Sequence, residues 1–139
     1  MATQIFVNLP VKNLDKSVAF FTRLGYSFNP QFTDKNATCM VVDENINVML
    51  LVESFFKSFT PKPVCDAHQS TEVIVCLSCE SRDDVDDMVY KAVAAGATTP
   101  KKPMDIGDMY QHGYQDLDGH LWELMYMHPH VVSIGPEDI

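Results

Sequence analysis

Apolar and polar residues alternate along residues 5–11, IFVNLPV, with Val7, Leu9 and Val11 on one side and Phe6, Asn8 and Pro10 on the other. That period of two predicts a strand with one face in a core. Pro10 has no N–H to give a ladder, so the strand lies at a sheet edge or ends there. The period then changes. In LDKSVAFFTRLG, Leu14, Val18, Phe21 and Leu24 fall on one helical stripe, and Gly25 stands where a C-terminal cap belongs. Three short apolar runs follow, YSFNPQF, ATCMVV and INVMLLV, separated by the turn-forming sequences TDKN and DEN.

The second half repeats this order. TEVIVCLSC reads as a strand, rich in β-branched residues. The next segment opens with Ser81 as N-cap and Asp84 three residues on, a capping-box-like start. It carries Val85, Met88, Val89, Ala92 and Val93 as its apolar stripe and closes at Gly96. Strands are predicted near ATTPKKPM, MYQHGYQDL and HLWELMYM. Between the halves, ESFFKSFTPKPVCDAHQS predicts a short helical turn over Phe55, Phe56 and Phe59 and then a proline-containing linker. The chain is therefore expected to be α+β, built from two βαβββ modules. Module one covers about residues 1–59, the linker about 60–70, module two about 71–127, and a tail runs over 128–139.

A length of 139 residues, 46% hydrophobic and 21% charged, fits one ordinary folded domain. A net charge of -9 argues against nucleic acid and against an anionic membrane surface as partners. No apolar run has the length of a spanning helix, and MATQIFVNLP lacks the charged and apolar regions of a signal peptide. A cytoplasmic location is expected. The four cysteines are Cys39, Cys65, Cys76 and Cys79. The last two form a C-x-x-C, but residues three apart on a strand point to opposite faces, so these thiols are expected to diverge as small apolar core residues.

VNLPVKNLDKSVAFFTRLGYSF near the start and YQDLDGHLWELMY near the end resemble the vicinal oxygen chelate superfamily. That group holds glyoxalase I, bleomycin- and fosfomycin-resistance proteins and extradiol dioxygenases. The resemblance covers roughly residues 4–127 and points to the uncharacterised, glyoxalase-like branch. It implies two modules whose strands curl into a cup of mixed β-sheet, with helices outside and a ligand cavity inside, and it implies a homodimer. It also implies a metal ligand on the first and last strand of each module. Matched position by position, those sites hold Phe6, Met49 (Leu50 without a gap), Ile74 (Glu72 if the strand starts two residues earlier) and Glu123. Only Glu123 keeps a ligand of the expected type. A thioether suits soft Cu(I), and one carboxylate does not hold a divalent ion. No cofactor is called for, and a divalent metal is disfavoured.

Glu123 lies in the middle of an apolar strand, where an unpartnered carboxylate is costly. Three roles stay open: a hydrogen-bonded structural acid, a metal-free binding or catalytic group, and a metal ligand. Strand alternation would set Glu123 in the cup beside Leu121 and Met125, with Trp122 and Leu124 turned to the helix. Phe6, Asn8, Met49 and Ile74 are expected to line the cavity as ligand-binding residues. His112 is a candidate catalytic partner of Glu123, and it shares a strand face with Tyr110 and Tyr114, further candidate ligand contacts. His128 and His130 could pick up metal but read as a solvated tail. The leading function is binding of a small, largely apolar molecule without a tightly held metal. The alternatives are a metal-assisted lyase or isomerase, like lactoylglutathione lyase, using Glu123, and a sequestering module of the resistance type.

Overall fold

The computed structural model describes residues 2–129. The chain divides after Ser70 into two compact units. In the first, β1 (Ile5–Val11), α1 (Leu14–Arg23), β2 (Ser27–Asn29), β3 (Ala37–Asp43) and β4 (Ile46–Val52) follow one another, and the sheet order is β1-β4-β3-β2. Strand β1 runs parallel to β4, and the other pairs are antiparallel. A short helix α2 (Glu53–Phe56) and a 3-10 turn over Lys57–Phe59 lead out of this unit. The second unit comprises β5 (Ile74–Ser78), α3 (Arg82–Ala94), β6 (Met104–Asp105), β7 (Met109–Gln115) and β8 (Leu121–Met127). Its order, β5-β8-β7-β6 with β5 parallel to β8, repeats the first. Each unit is thus a βαβββ module with a mixed four-stranded sheet, the α+β class that the periodicity predicts.

Local sequence explains the two longer helices, α1 and α3. The Asn13 side chain accepts from the Lys16 N–H at 3.0 Å at the start of α1, and the Ser81 hydroxyl accepts from the Asp84 N–H at 3.0 Å at the start of α3. Both end at a glycine with positive φ, Gly25 at 105° and Gly96 at 117°, a conformation that β-carbons resist. Helix α1 buries Leu14, Phe20 and Phe21, and one face of its sheet buries Leu9, Val11, Met40, Val48 and Leu50. Helix α3 packs Val85, Val89 and Ala92 over β7 and β8, whose buried side chains are Tyr114, Trp122 and Leu124. Each such large side chain contributes roughly 1.5–3 kcal/mol on burial. The helices therefore cover one face of each sheet.

Three stretches differ from expectation, and proline explains two of them. YSFNPQF yields only Ser27–Asn29, because Pro30 opens a 3-10 turn capped by the Asn29 side chain. In ATTPKKPM, Thr98 bridges Gln115, but Pro100 and Pro103 withhold donors and pairing resumes only at Met104. Third, Cys79 lies one residue beyond β5, so strand alternation does not govern it. Cys76 is exposed, not a core residue, because it points away from α3. Among the described residues, no helix is long and apolar enough to cross a membrane.

The turn between β7 and β8 is built on Asp116, buried to 6% exposure. Its Oδ1 accepts from the Asp118 and His120 N–H groups at 2.9 and 3.0 Å, and its Oδ2 accepts from Trp122 Nε1 at 2.9 Å. Burial pushes this carboxyl above the usual carboxylate range, against the pull of His120 and of the three donors. Asp116→Asn replaces one acceptor by a donor that must face an N–H. It is expected to cost about 2–4 kcal/mol in urea unfolding, and a cost below about 0.5 kcal/mol would show that the turn does not rely on this carboxylate.

Candidate functional site on the second sheet

On β8, Trp122 and Leu124 are buried against the helix side, so Leu121, Glu123 and Met125 stand on the opposite, open face. Glu123 is flanked in register by Cys76 of β5 and Gly113 of β7. The glycine is a steric requirement. A β-carbon at 113 would overlap the Trp122 carbonyl oxygen and lie 2.6 Å from Glu123 Oε2 and 2.8 Å from its Cδ. The carboxylate therefore lies down against the bare Cα of Gly113.

A cavity of about 290 Å³ opens beside it, lined by Ile74, Pro100, Leu121 and Gln115 together with Lys101 and Glu123. Lys101 Nζ lies 3.9 Å from Glu123 Oε1, an ion pair too long to be a hydrogen bond. The two partners differ in exposure, 14% for the Glu123 side chain and 72% for that of Lys101. Desolvation, and after it the Glu123 carboxylate, push the Cys76 thiol up. The group facing Glu123 is thus a protonated thiol and a poor nucleophile.

The register separates His112 from Glu123. His112 pairs with Leu124, Tyr114 with Trp122 and Tyr110 with Tyr126, so all three candidates point to the α3 side. An acid–base pair of His112 with Glu123 is corrected on this ground: adjacent positions on paired strands face opposite ways. His112 Nε2 instead meets the Lys101 carbonyl oxygen at 3.1 Å, holding the Pro100–Lys101 strap at the sheet edge. The Tyr110 hydroxyl donates to Asp86 of α3 at 2.5 Å, and the Arg82 guanidinium lies 5.3 Å from its ring centre. Tyr114 stacks on Trp122 with ring centres 6.3 Å apart and contributes to the cavity wall while remaining 2% exposed. Gly113, Lys101 and Pro100 were not among the sequence candidates. The signal for Gly113 was available, since it is the residue without a side chain in a strand of large ones.

In the first unit, Phe6, Asn8 and Met49 share the face of their own sheet opposite the one that buries Leu9, Val48 and Leu50, with Asn8 and Cys39 beside Met49 in register. The rung Asn8–Met49–Cys39 thus corresponds to Cys76–Glu123–Gly113 in the second unit, and Phe6 on β1 corresponds to Ile74 on β5. Glu72 precedes β5 and belongs to no strand.

Residues 3–43 match the model of the bleomycin resistance protein-like N-terminal family. No curated protein matches the chain. Among solved structures, a hypothetical protein from S. aureus is 26% identical with a TM-score of 0.77, the match covering 91% of this chain and 95% of that one. A glyoxalase/bleomycin resistance protein/dioxygenase family enzyme from Burkholderia phytofirmans PsJN is 16% identical, with coverage of 91% and 99% and a TM-score of 0.75. The genomically encoded fosfomycin resistance protein from Listeria monocytogenes is 18% identical, with coverage of 94% and 97% and a TM-score of 0.65. The fold is that of the vicinal oxygen chelate superfamily.

The four positions at which the vicinal oxygen chelate resemblance implies metal ligands hold Phe6, Met49, Ile74 and Glu123. Phe and Ile have no donor atom, and a thioether is a soft ligand. Among the described residues, no three His, Cys, Asp or Glu side chains gather where they could hold an ion. This donor set does not fit a divalent metal. Of the tail histidines, His128 gives its N–H to the Asp108 carbonyl at 2.7 Å, and His130 lies outside the described residues.

Two outcomes follow from this geometry. Gly113→Ala is expected to destabilise the protein by about 2–4 kcal/mol in urea unfolding, because the methyl group meets main chain as well as the carboxylate. An unchanged midpoint would contradict the close approach. Donation to Asp86, and secondarily burial, push the Tyr110 hydroxyl from 10.0 up to about 12. A raised folded-state pKa means that the stability this contact supplies is complete below pH 10 and is lost as pH rises through about 12. The difference in unfolding free energy between wild type and Tyr110→Phe should shrink over that window. A difference that stays constant would disprove the Tyr110–Asp86 bond.

Proposed function

We propose that this chain binds a small, largely apolar molecule on the open face of its second sheet, with Glu123 as the polar recognition point and without a tightly held divalent metal. The cavity beside Glu123 carries this reading. Its volume of about 290 Å³ is roughly twice the ~150 Å³ that holds a benzene ring, so it suits a single-ring or short-chain molecule. Ile74, Pro100 and Leu121 offer apolar contact, and the carboxylate offers an oriented acceptor. Exposed apolar side chains on the edge strand β1, Ile5 at 53% and Phe6 at 44%, support pairing with a second copy.

A fragment screen by protein-detected NMR tests the binding reading, with backbone amides of Ile74, Lys101 and Leu121 as reporters. Fragments that combine a ring with a hydrogen-bond donor are expected to shift these amides, and Glu123→Gln should weaken them about tenfold, as for loss of a hydrogen bond to a charged acceptor. Hits that bind elsewhere, or equally well to the variant, would sink it. Metal content after incubation with nickel, zinc and manganese is expected to stay well below one ion per chain. A stoichiometric ion lost in Glu123→Gln would restore the lyase reading.

A further inference from the structure

We propose that Lys101 sets the charge class of ligand that the second-sheet cavity accepts, selecting neutral hydroxyl-bearing molecules over amines and carboxylates. The inference rests on the binding role proposed above and adds the chemistry of the ligand's head group. Lys101 and Glu123 are the two charged residues among those lining the cavity, and their signs are opposite. At 3.9 Å they attract without forming a hydrogen bond, so each keeps a free valence towards the cavity.

A hydroxyl can use both valences, because one O–H donates to the carboxylate while its oxygen accepts from the ammonium. An amine head gains Glu123 but meets Lys101, and a carboxylate head gains Lys101 but meets Glu123. Either ion faces one like charge at close range, a largely buried one at Glu123 and a largely solvated one at Lys101. The position of Lys101 is built in at the main chain. His112 Nε2 contacts its carbonyl oxygen at 3.1 Å, and Pro100 precedes it in the strap. The ammonium is therefore delivered to this end of the sheet although most of the side chain is in water.

The test compares phenol, benzylamine and benzoate, three single-ring probes that differ in head group, by NMR titration of wild type, Lys101→Met and Glu123→Gln. Wild type is expected to bind phenol about tenfold more tightly than either ion. Lys101→Met should gain about tenfold for benzylamine and place it first, and Glu123→Gln should make the same gain for benzoate. Lys101→Gln should move the order in the same direction as Lys101→Met, which separates charge from packing. Binding in wild type with an order that Lys101→Met leaves unchanged would overturn the role of Lys101 and leave the binding site standing. Absence of binding by all three probes in wild type at millimolar concentration would overturn the binding site and this inference with it.

Discussion

The contact on which the site depends is the buried hydrogen bond from Trp122 Nε1 to the Asp116 carboxylate. It joins the turn after β7 to the second residue of β8, while the Asp116 Oδ1 atom gathers the Asp118 and His120 amides into the same turn. The turn in turn fixes which residue of β7 faces which residue of β8. A slip of one residue would carry every side chain of the strand to the other face. With the register held, Trp122 and Leu124 enter the core and Glu123 is left on the open face against Gly113. The carboxylate of the site is thus positioned by another carboxylate that takes no part in it.

The parts of this arrangement that were legible in the sequence are those governed by short-range period. Alternation along LWELM separates Glu123 from Trp122, and the stripes of α1 and α3 with their caps follow from residues within two turns of each other. The side to which His112 points was harder, because it depends on pairing across the turn and not on β7 alone. The same alternation groups His112 with Tyr110 and Tyr114, but only the register Gly113–Glu123 shows that the group lies behind the sheet. The strap departs from the predicted strand for a different reason. TTPKKPM has the composition of an extended segment, yet its prolines cannot sustain a ladder, and a segment released from pairing is free to bring Pro100 and Lys101 over the cavity.

The two modules share a scaffold and differ in chemistry at one rung. Asn8–Met49–Cys39 in the first offers an amide, a thioether and a buried thiol, whereas Cys76–Glu123–Gly113 in the second offers a carboxylate with room beside it. The difference is partly steric. A glycine opposite the acid lets the acid lie flat, and Cys39 opposite Met49 leaves no such space. The acid can then be held at 14% exposure with a lysine as its neighbour, an arrangement suited to recognising a polar head on an apolar body. A fold that hosts many activities does not choose among them. With Phe6 and Ile74 at two of the positions where the resemblance implies ligands, Glu123 has a bare glycine and a nearby ammonium around it in place of further donors, and the binding role proposed above rests on that environment.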